Sequence, residues 1–301
     1  MKAIVLSAYG EAENLEVREV PDPAVGPDGV LVRVASASIN PIDWKLRSGK
    51  YHAFMPIELP AILGKDASGT VVKVGTNVTA FKVGDRVLGR VNFAYADLVV
   101  GTKDDWALLP DGLDLVDAGA LPLVLLTGAQ LVEEAVNIQA GQVILVTGAL
   151  GGVGRSAVYA AKGRGARVFA GVRGKQKVAA ADLGADGVIA LDDPTDIETL
   201  PALDAIADTV GGAILGKLLT KVKAGGTIGS VVGPSADAQA LGLIVRPIFT
   251  HSDSKRLGQL AKAVADGKLA IPIAKRFSFA EAPAAHRFAE GGAGGKVLFV
   301  A

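Results

Sequence analysis

The sequence predicts an α/β protein with two domains, one made mostly of short β-strands and one in which strands alternate with helices. Three observations support this prediction. The chain has 301 residues, which is long for one compact core. Up to about Leu109 the apolar residues come in short alternating or β-branched runs, and from Gly141 compact apolar runs are separated by alanine-rich stretches.

The first part of the chain has the pattern of an antiparallel barrel-like β domain. Its apolar runs include MKAIVLS, GVLVRVASAS and DRVLGRV, and the segments PDPAVGPDG and VGTN interrupt them. Turn-forming residues between short strands are typical of such a domain.

The second part of the chain has the pattern of a parallel sheet. Alanine-rich helical stretches such as GRSAVYAAKG and KQKVAAADLG separate its apolar runs. This alternation is typical of a parallel sheet, because parallel strands need a crossover connection. The predicted strands are VILVTG, RVFAGVR, GVIALDD, DAIADTV and GGTIGSVVG.

The composition excludes several classes of function. Half of the residues are hydrophobic, the formal net charge is zero and cysteine is absent. The balanced charge gives no indication of nucleic-acid binding. The absence of cysteine excludes a disulfide framework, a thiol nucleophile and a cysteine-based zinc site. The three histidines lie far apart in the sequence, and we do not expect them to be ligands.

The sequence gives no indication of a membrane or secretory segment. MKAIVLSAYG reads as a first strand rather than a secretory signal. The longest uncharged run, residues 118–132, is shorter than the roughly 18 residues of a membrane helix. The cytoplasm is therefore the expected location.

The glycine cluster ALGGVG, between a predicted strand and a predicted helix, is the first functional motif. Ala149 stands where the G-x-G-x-x-G fingerprint has its first glycine, and Gly151 and Gly154 hold the other two places. In such a loop, backbone N–H groups bind a pyrophosphate at the helix N-terminus. A bare structural turn is the alternative. The predicted cofactor-binding residues of the loop are Gly151, Gly152, Val153 and Gly154.

A basic run at the end of the next predicted strand indicates which dinucleotide binds. An NAD site would place an acid there for the ribose 2′-hydroxyl, but this chain has Arg173, followed by Lys175 and Lys177. No acidic residue follows until Asp182. Arg173 and Lys177 are therefore predicted to bind a 2′-phosphate, which makes NADPH the expected cofactor. The alternative is a solvated basic turn.

Several segments in order along the chain resemble one protein family over essentially its whole length. The chain resembles the medium-chain dehydrogenase/reductase superfamily and, within it, the zinc-independent quinone oxidoreductase and enone reductase branch. The segments are SINPIDWKLRSG (38–49), LPAILGKDASGTVVKVG (59–75), VGDRVLG (83–89), LPLVLLTG (121–128), ALGGVG (149–154), ADTVGG (207–212) and GGKVLFV (294–300).

The resemblance implies the domain organisation. A GroES-like β-barrel domain would span residues 1–120 and be completed by residues 268–301. A Rossmann domain with a doubly wound parallel sheet would span residues 121–267 and bind NADP.

The departures from the zinc-containing relatives imply a metal-free site. Asn40, Lys65 and Leu123 stand where zinc alcohol dehydrogenases carry their catalytic ligands, so no metal is expected. Without a metal to stabilise an alkoxide, the expected acceptors are conjugated, because their developing charge spreads over an enolate or quinol oxygen.

The resemblance places the segment NPIDWKLRSGKY at the substrate cleft. Asn40 is a candidate hydrogen-bond donor to the acceptor or the cofactor ribose, or it forms an Asx turn before Pro41. Lys45 and Tyr51 are candidate proton donors or orienting groups; otherwise Lys45 is a surface cation, Tyr51 lines the cleft and water supplies the proton. Thr127 matches the family threonine that approaches the nicotinamide, or it bonds within its own helix.

The expected activity is NADPH-dependent reduction of a quinone or an α,β-unsaturated carbonyl, with hydride delivered into the cleft between the domains. One alternative is an NADPH-binding protein without significant turnover. Another is an enoyl-thioester reductase, although the basic residues do not outline a path for its phosphopantetheine arm. The expected partners are a small-molecule acceptor and a second copy of the chain, paired as in relatives through the apolar edge strand in residues 241–249, with no nucleic acid or membrane.

Overall fold

The computed structural model describes residues 1–53, 55–233 and 235–301. The chain divides into two compact units. The first contains Met1–Leu123 and His251–Ala301, and the second contains Val124–Thr250. The predicted boundary at 120 lies close to the first division, and the one at 267 lies one helix beyond the second.

The first unit is rich in strands, as the alternating apolar runs predict. Its helices are α1 (Pro41–Arg47), α2 (Leu115–Ala118), α9 (Ser254–Ala265) and α10 (Ala282–Glu290), with 3₁₀ turns at Ala12–Asn14 and Phe279–Glu281. Its strands are β1 (Lys2–Leu6), β2 (Leu15–Glu19), β3 (Gly29–Ile39), β4 (Ala61–Ile62), β5 (Ala67–Val74), β6 (Arg86–Gly89), β7 (Leu98–Thr102), β8 (Trp106–Leu108), β15 (Ile273–Ser278) and β16 (Lys296–Val300).

These strands form a GroES-like arrangement to which both ends of the chain contribute. One sheet has the order β2-β1-β4, and a larger one has the order β15-β16-β3-β5-β6-β8, with β7 also paired to β3. The long strand β3 pairs antiparallel with β16 on one side and β5 on the other. The C-terminal strand therefore lies within the large sheet of the first unit.

The second unit alternates strands and helices. Its helices are α4 (Gly152–Gly163), α5 (Lys177–Ala180), α6 (Pro194–Glu198), α7 (Gly212–Leu218) and α8 (Ala236–Ala240), with a π-helical turn at Leu131–Val136 and 3₁₀ turns at Gly174–Gln176, Ala181–Leu183 and Leu219–Lys221. Its strands are β9 (Val143–Thr147), β10 (Arg167–Val172), β11 (Gly187–Ala190), β12 (Leu203–Asp208), β13 (Val222–Ser230) and β14 (Ile244–Pro247). Helix α3 (Pro122–Gln130) begins at the division between the units.

The sheet of the second unit is doubly wound. Its strand order is β11-β10-β9-β12-β13-β14, and every neighbouring pair is parallel. The order reverses between β9 and β12, and ligands of such sheets bind outside the carboxyl ends of the strands at that point. This is the predicted Rossmann topology, and it places the glycine loop after β9 beside the reversal.

Short polar side chains cap the first turns of several helices. An aspartate directly before each helix accepts hydrogen bonds from backbone N–H groups of the first turn, which have no partner inside the helix. The capped helices are α2 (Asp114), α6 (Asp193) and α9 (Asp253). No helix within the described residues is long and apolar enough to cross a membrane.

An aromatic cluster fills part of the core of the first unit and includes a histidine. Tyr95 and Phe299 meet edge to face with ring centroids 4.9 Å apart, and the His286 ring stacks on Phe299 at 6.3 Å. His286 is fully buried, and within the described part of the chain neither ring nitrogen has a hydrogen-bond partner. Burial, together with the nearby charge of Arg47, lowers the pKa of His286 to about 3.

This burial predicts a specific pH dependence of stability. Below its ordinary pKa of about 6.5, His286 takes up a proton in the unfolded chain but not in the folded one. The folded state therefore loses stability as pH falls from about 6.5 towards 3. Replacing His286 with Phe removes that proton uptake, so the variant should gain about 2 kcal/mol relative to the wild type between pH 8 and pH 5.

Urea unfolding of both proteins at these two pH values measures the difference. The exposed His251→Phe variant, which makes the same replacement outside the core, is the matched control. An unchanged difference between the His286→Phe variant and the wild type at pH 8 and pH 5 would show that His286 binds its proton in the folded state too.

Candidate functional site

The loop after β9 is shaped by glycines that leave the start of α4 open. Gly148 has a φ of +62°, and its carbonyl accepts the Gly151 N–H at 2.9 Å. A Cβ on Gly154 would lie 2.2 Å from the Gly148 oxygen, so a side chain there would push the loop away from the helix. The 12-residue helix α4 starts after Gly151 without a side-chain cap or an acidic residue in its first turn.

This geometry fits a pyrophosphate. The uncapped N–H groups of the first turn and the helix dipole both favour an anion at the N-terminus of α4. Close backbone approach is possible because Gly151, Gly152 and Gly154 carry no Cβ. Val153 lies within the same first turn. Helix α3 packs closely against this turn, because a Cβ on Gly128 of α3 would lie 2.4 Å from the Val153 carbonyl oxygen. The predicted loop residues therefore lie together at the carboxyl end of β9.

Thr127 lies one residue before Gly128 on α3. It is 7% exposed, and its hydroxyl shares a hydrogen bond of 2.7 Å with the hydroxyl of Thr250. The packing of Gly128 against Val153 places Thr127 next to the start of α4. The hydroxyl therefore bonds to a threonine distant in sequence. The two roles expected from the sequence, contact with the nicotinamide and a bond within its own helix, stay predictions.

Two basic residues after β10, Arg173 and Lys177, lie in different environments. Arg173 is exposed, and its backbone N–H donates to Gln176 Oε1 at 3.1 Å. Lys177 instead forms an ion pair of 2.8 Å with Asp196, and this contact lowers the pKa of that carboxyl. Because an acidic side chain already binds Lys177, Arg173 is the stronger candidate for a phosphate contact.

A buried aspartate organises the carboxyl ends of three strands beside the glycine loop. Asp208, at the end of β12, accepts the Thr147 hydroxyl of β9 at 2.8 Å and the Ser230 hydroxyl of β13 at 3.1 Å. It also accepts the Gly211 N–H at 3.0 Å. The segment ADTVGG signals this residue, but the sequence assigns it no role because its partners come from distant strands.

In the first unit, Lys45 and Tyr51 form a pair. Lys45 lies on α1, and its Nζ donates to the Tyr51 hydroxyl at 3.1 Å and lies 5.2 Å from the centre of the ring. The Tyr51 N–H donates to the Lys45 carbonyl at 3.3 Å, which fixes the turn that brings the two side chains together. Both residues are half-buried. The two candidates therefore act as one polar element.

Asn40 is in a different environment. It is 1% exposed, and its amide nitrogen donates to Asp66 Oδ1 at 3.1 Å and to the Ser38 carbonyl at 3.2 Å. Its amide oxygen accepts a hydrogen bond from Lys296. With both ends of the amide bound inside the unit, Asn40 holds the chain in place before α1. This geometry gives no support to a direct contact with the acceptor.

Two oppositely charged buried groups flank Asn40. Burial raises the pKa of Asp66, and the opposing influences are Lys296 and the hydrogen bonds from Ser38, the Leu123 N–H and Asn40. Burial lowers the pKa of Lys296, and the charges of Asp66 and Asp43 oppose that shift. Such a cluster is stable only when every member keeps its partners, because an unpaired buried charge is costly.

The three positions at which the resemblance places zinc ligands hold groups that do not suit zinc. Asn40 is hydrogen bonded within the unit, Leu123 is apolar, and Lys65 carries an ammonium that donates to Asn92 Oδ1 at 2.8 Å. Zinc sites use thiolate, imidazole and carboxylate ligands. Among the residues that the structure describes, no three His, Cys, Asp or Glu side chains lie close enough to hold a metal ion.

The chain is similar to nicotinamide-dependent oxidoreductases in sequence and structure. It matches the alcohol dehydrogenase GroES-like domain over residues 26–110 and the zinc-binding dehydrogenase family over residues 183–298. It is 32% identical to a probable quinone oxidoreductase of Schizosaccharomyces pombe over 308 residues, covering 94% of this chain and 92% of the relative.

Two further comparisons agree. An NADPH-dependent alkenal/one oxidoreductase of Arabidopsis thaliana chloroplasts is 33% identical over 248 residues, covering 77% of this chain and 63% of the relative. The structure of the quinone oxidoreductase from Coxiella burnetii matches with a TM-score of 0.88 at 29% identity, covering 100% of this chain and 99% of the other.

The fold and the glycine loop are those of the nicotinamide-dependent dehydrogenase family. The chain belongs to the medium-chain dehydrogenase/reductase superfamily, in the branch of the quinone oxidoreductases and enone reductases. For four other relatives, the aligned region spans only 54 to 62% of the relative's own length.

The close contact at Gly154 gives a direct test of the dinucleotide loop. Gly154→Ala should weaken binding of the dinucleotide at least about tenfold, because the new methyl group displaces the backbone that binds the phosphates. Gly163→Ala at the end of the same helix is the matched control, since a Cβ there meets nothing within 4 Å. Fluorescence titration measures both dissociation constants, and equal values for the two variants would place the dinucleotide elsewhere.

Proposed function

We propose that this protein is an NADPH-dependent reductase of quinones or α,β-unsaturated carbonyls that works without zinc. The observation that supports this proposal most strongly is the Lys45–Tyr51 pair, a polar donor element in a unit whose former metal-ligand positions hold Asn40, Lys65 and Leu123. When bound, the reduced cofactor supplies the hydride. We keep the cytoplasm as the proposed location.

Arg173 supports the preference for NADPH. Its guanidinium is exposed at the end of β10, where an acid would favour the unphosphorylated ribose. Gly151, Gly152, Val153 and Gly154 would hold the pyrophosphate. Lys177 would add to the positive field, although Asp196 already binds it.

Tyr51 is the proposed donor to the acceptor. Lys45 donates to the Tyr51 oxygen, so the ammonium withdraws electron density from the phenol. The hydroxyl proton of Tyr51 is then a better hydrogen-bond donor. A hydride and one proton together convert an enone to a saturated ketone or a quinone to a hydroquinone. Tyr51 would supply that proton or orient the acceptor while water supplies it.

The cofactor preference is tested by charge reversal at Arg173. NADPH should bind more tightly than NADH by roughly 10- to 150-fold, because one charge-assisted contact contributes about 1.5–3 kcal/mol. Arg173→Asp should remove or reverse that preference. Lys217→Asp, an equal charge change at an exposed residue of α7, should retain it. Equal dissociation constants of the two dinucleotides for the wild type would remove the basis for NADPH.

The reaction is tested by following NADPH oxidation over a panel of quinones, enals and enones with a chelator present throughout. The wild type should turn over at least one class undiminished by the chelator. Tyr51→Phe should lower turnover roughly 10²- to 10⁴-fold and leave the NADPH dissociation constant unchanged. Tyr159→Phe on α4 is the control and should match the wild type.

Three other results of this assay would change the proposed function or the proposed roles of its residues. Full turnover by Tyr51→Phe would leave Tyr51 as a wall of the pocket and make water the donor. A stoichiometric zinc ion found by elemental analysis, with activity lost when it is removed, would contradict the metal-free site. Binding of NADPH without oxidation by any acceptor would favour a binding protein.

A homodimer is also part of the proposal. Strand β14 is an edge of the parallel sheet, and its Ile244 is 44% exposed, with Leu241 and Phe249 also exposed nearby. An exposed apolar edge needs to be covered or paired. Light scattering at micromolar concentration should give twice the chain mass for the wild type and a monomer for Ile244→Lys. The exposed Val178→Lys variant should remain a dimer, and a monomeric wild type would overturn this part of the proposal.

A further inference from the structure

A bulge in the first unit places two unusual residues beside each other. Residues 91–95 run alongside residues 63–65, with the Tyr95 N–H donating to the Leu63 carbonyl at 3.1 Å and the Val91 N–H to the Lys65 carbonyl at 3.1 Å. Asn92 and Phe93 lie between these contacts and bulge out opposite Lys65.

Phe93 is unusual in its backbone and in its exposure. Its φ is +64°, a conformation that favours glycine and that bulky side chains rarely adopt. The other non-glycine residue at positive φ in the described part of the chain is Asn137, a type that tolerates it. The Phe93 ring is 63% exposed, so it contributes little to the core. A strained and largely exposed aromatic residue of this kind points to contact with a ligand.

Lys65 is a half-buried cation that binds a neutral side chain. Its Nζ donates to Asn92 Oδ1 at 2.8 Å, and none of the ion pairs of the described residues includes it. Burial lowers the pKa of Lys65 and the charge of Arg90 lowers it further, whereas Asp43 on α1 opposes the shift. The half-buried ammonium is therefore incompletely compensated and is suited to an additional oxygen ligand.

We propose that Phe93 and Lys65 form the binding subsite for a flat conjugated acceptor, with the ring of Phe93 against its face and the Lys65 ammonium, oriented by Asn92, bonded to its oxygen. This inference rests on the reductase function proposed above and adds the acceptor class, planar and preferably cyclic. A fixed cation at the oxygen stabilises the negative charge that develops there as hydride arrives. Ring stacking selects flat acceptors over small acyclic ones.

The ring is tested with Phe93→Gly, which suits the positive φ and should fold at least as stably as the wild type. It should raise KM for a naphthoquinone roughly tenfold and change KM for an acyclic enone less than about twofold, with kcat nearly constant. Val83→Gly, which removes another exposed apolar side chain of the unit, is the control and should leave both KM values unchanged.

The ammonium is tested with Lys65→Met and Lys65→Gln. Both should lower kcat/KM for either acceptor roughly 10- to 100-fold, because a charge-assisted hydrogen bond is lost. The exposed Lys73→Met variant is the control. The dissociation constant of NADPH should be unchanged in every variant, which separates the subsite from the dinucleotide loop.

Equilibrium binding of the naphthoquinone to the protein–NADP⁺ complex separates failure of this inference from failure of the proposed reductase. If the wild type has no turnover, the reductase fails, and weaker binding by Phe93→Gly would still support the subsite. The proposed subsite would be overturned if Phe93→Gly left both the KM and the binding of the naphthoquinone unchanged. It would also be overturned if the wild type were active and both Lys65 variants kept its kcat/KM.

Discussion

The first unit depends on a buried chain of contacts that joins Lys296 to Asn40 and Asn40 to Asp66. Lys296 begins the last strand, Asn40 directly follows β3 and Asp66 directly precedes β5, so the contacts connect three neighbouring strands of one sheet. Removing one member would leave a buried charge without compensation. The same contacts position the candidate acceptor groups, because Asn40 directly precedes the helix of Lys45 and Asp66 directly follows Lys65 in the sequence.

Asp208 has the corresponding role in the second unit. Its carboxylate accepts hydrogen bonds from the ends of β9 and β13 and from the backbone after β12. Those strand ends surround the point where the sheet order reverses, so Asp208 holds the platform from which the dinucleotide loop projects. In each unit, a buried carboxylate orders segments that are distant in sequence, and the groups proposed for chemistry lie on the segments it orders.

The parts of the site that depend on local sequence could be predicted. The change of rhythm near Gly141 and the glycine spacing predict a parallel sheet with a dinucleotide loop. The family resemblance adds the Rossmann topology and places Lys45 and Tyr51, which share one short polar segment, among the candidates. Other features depend on tertiary contacts. Neither the partners of Asp208 nor the burial of Asn40 has a local signature, and the positive φ of Phe93 follows from a bulge that only the paired segments define.

The central claim is that the protein moves a hydride from a bound reduced nicotinamide to a conjugated acceptor. The most direct measurement uses NADPH deuterated on the transferred position of the nicotinamide, a cyclic enone as the acceptor and mass spectrometry of the organic product. We expect a saturated ketone that carries one deuterium on the carbon β to the carbonyl, formed in equal amount to the NADP⁺ produced. A saturated ketone without deuterium, or oxidised cofactor without a reduced acceptor, would contradict direct hydride transfer.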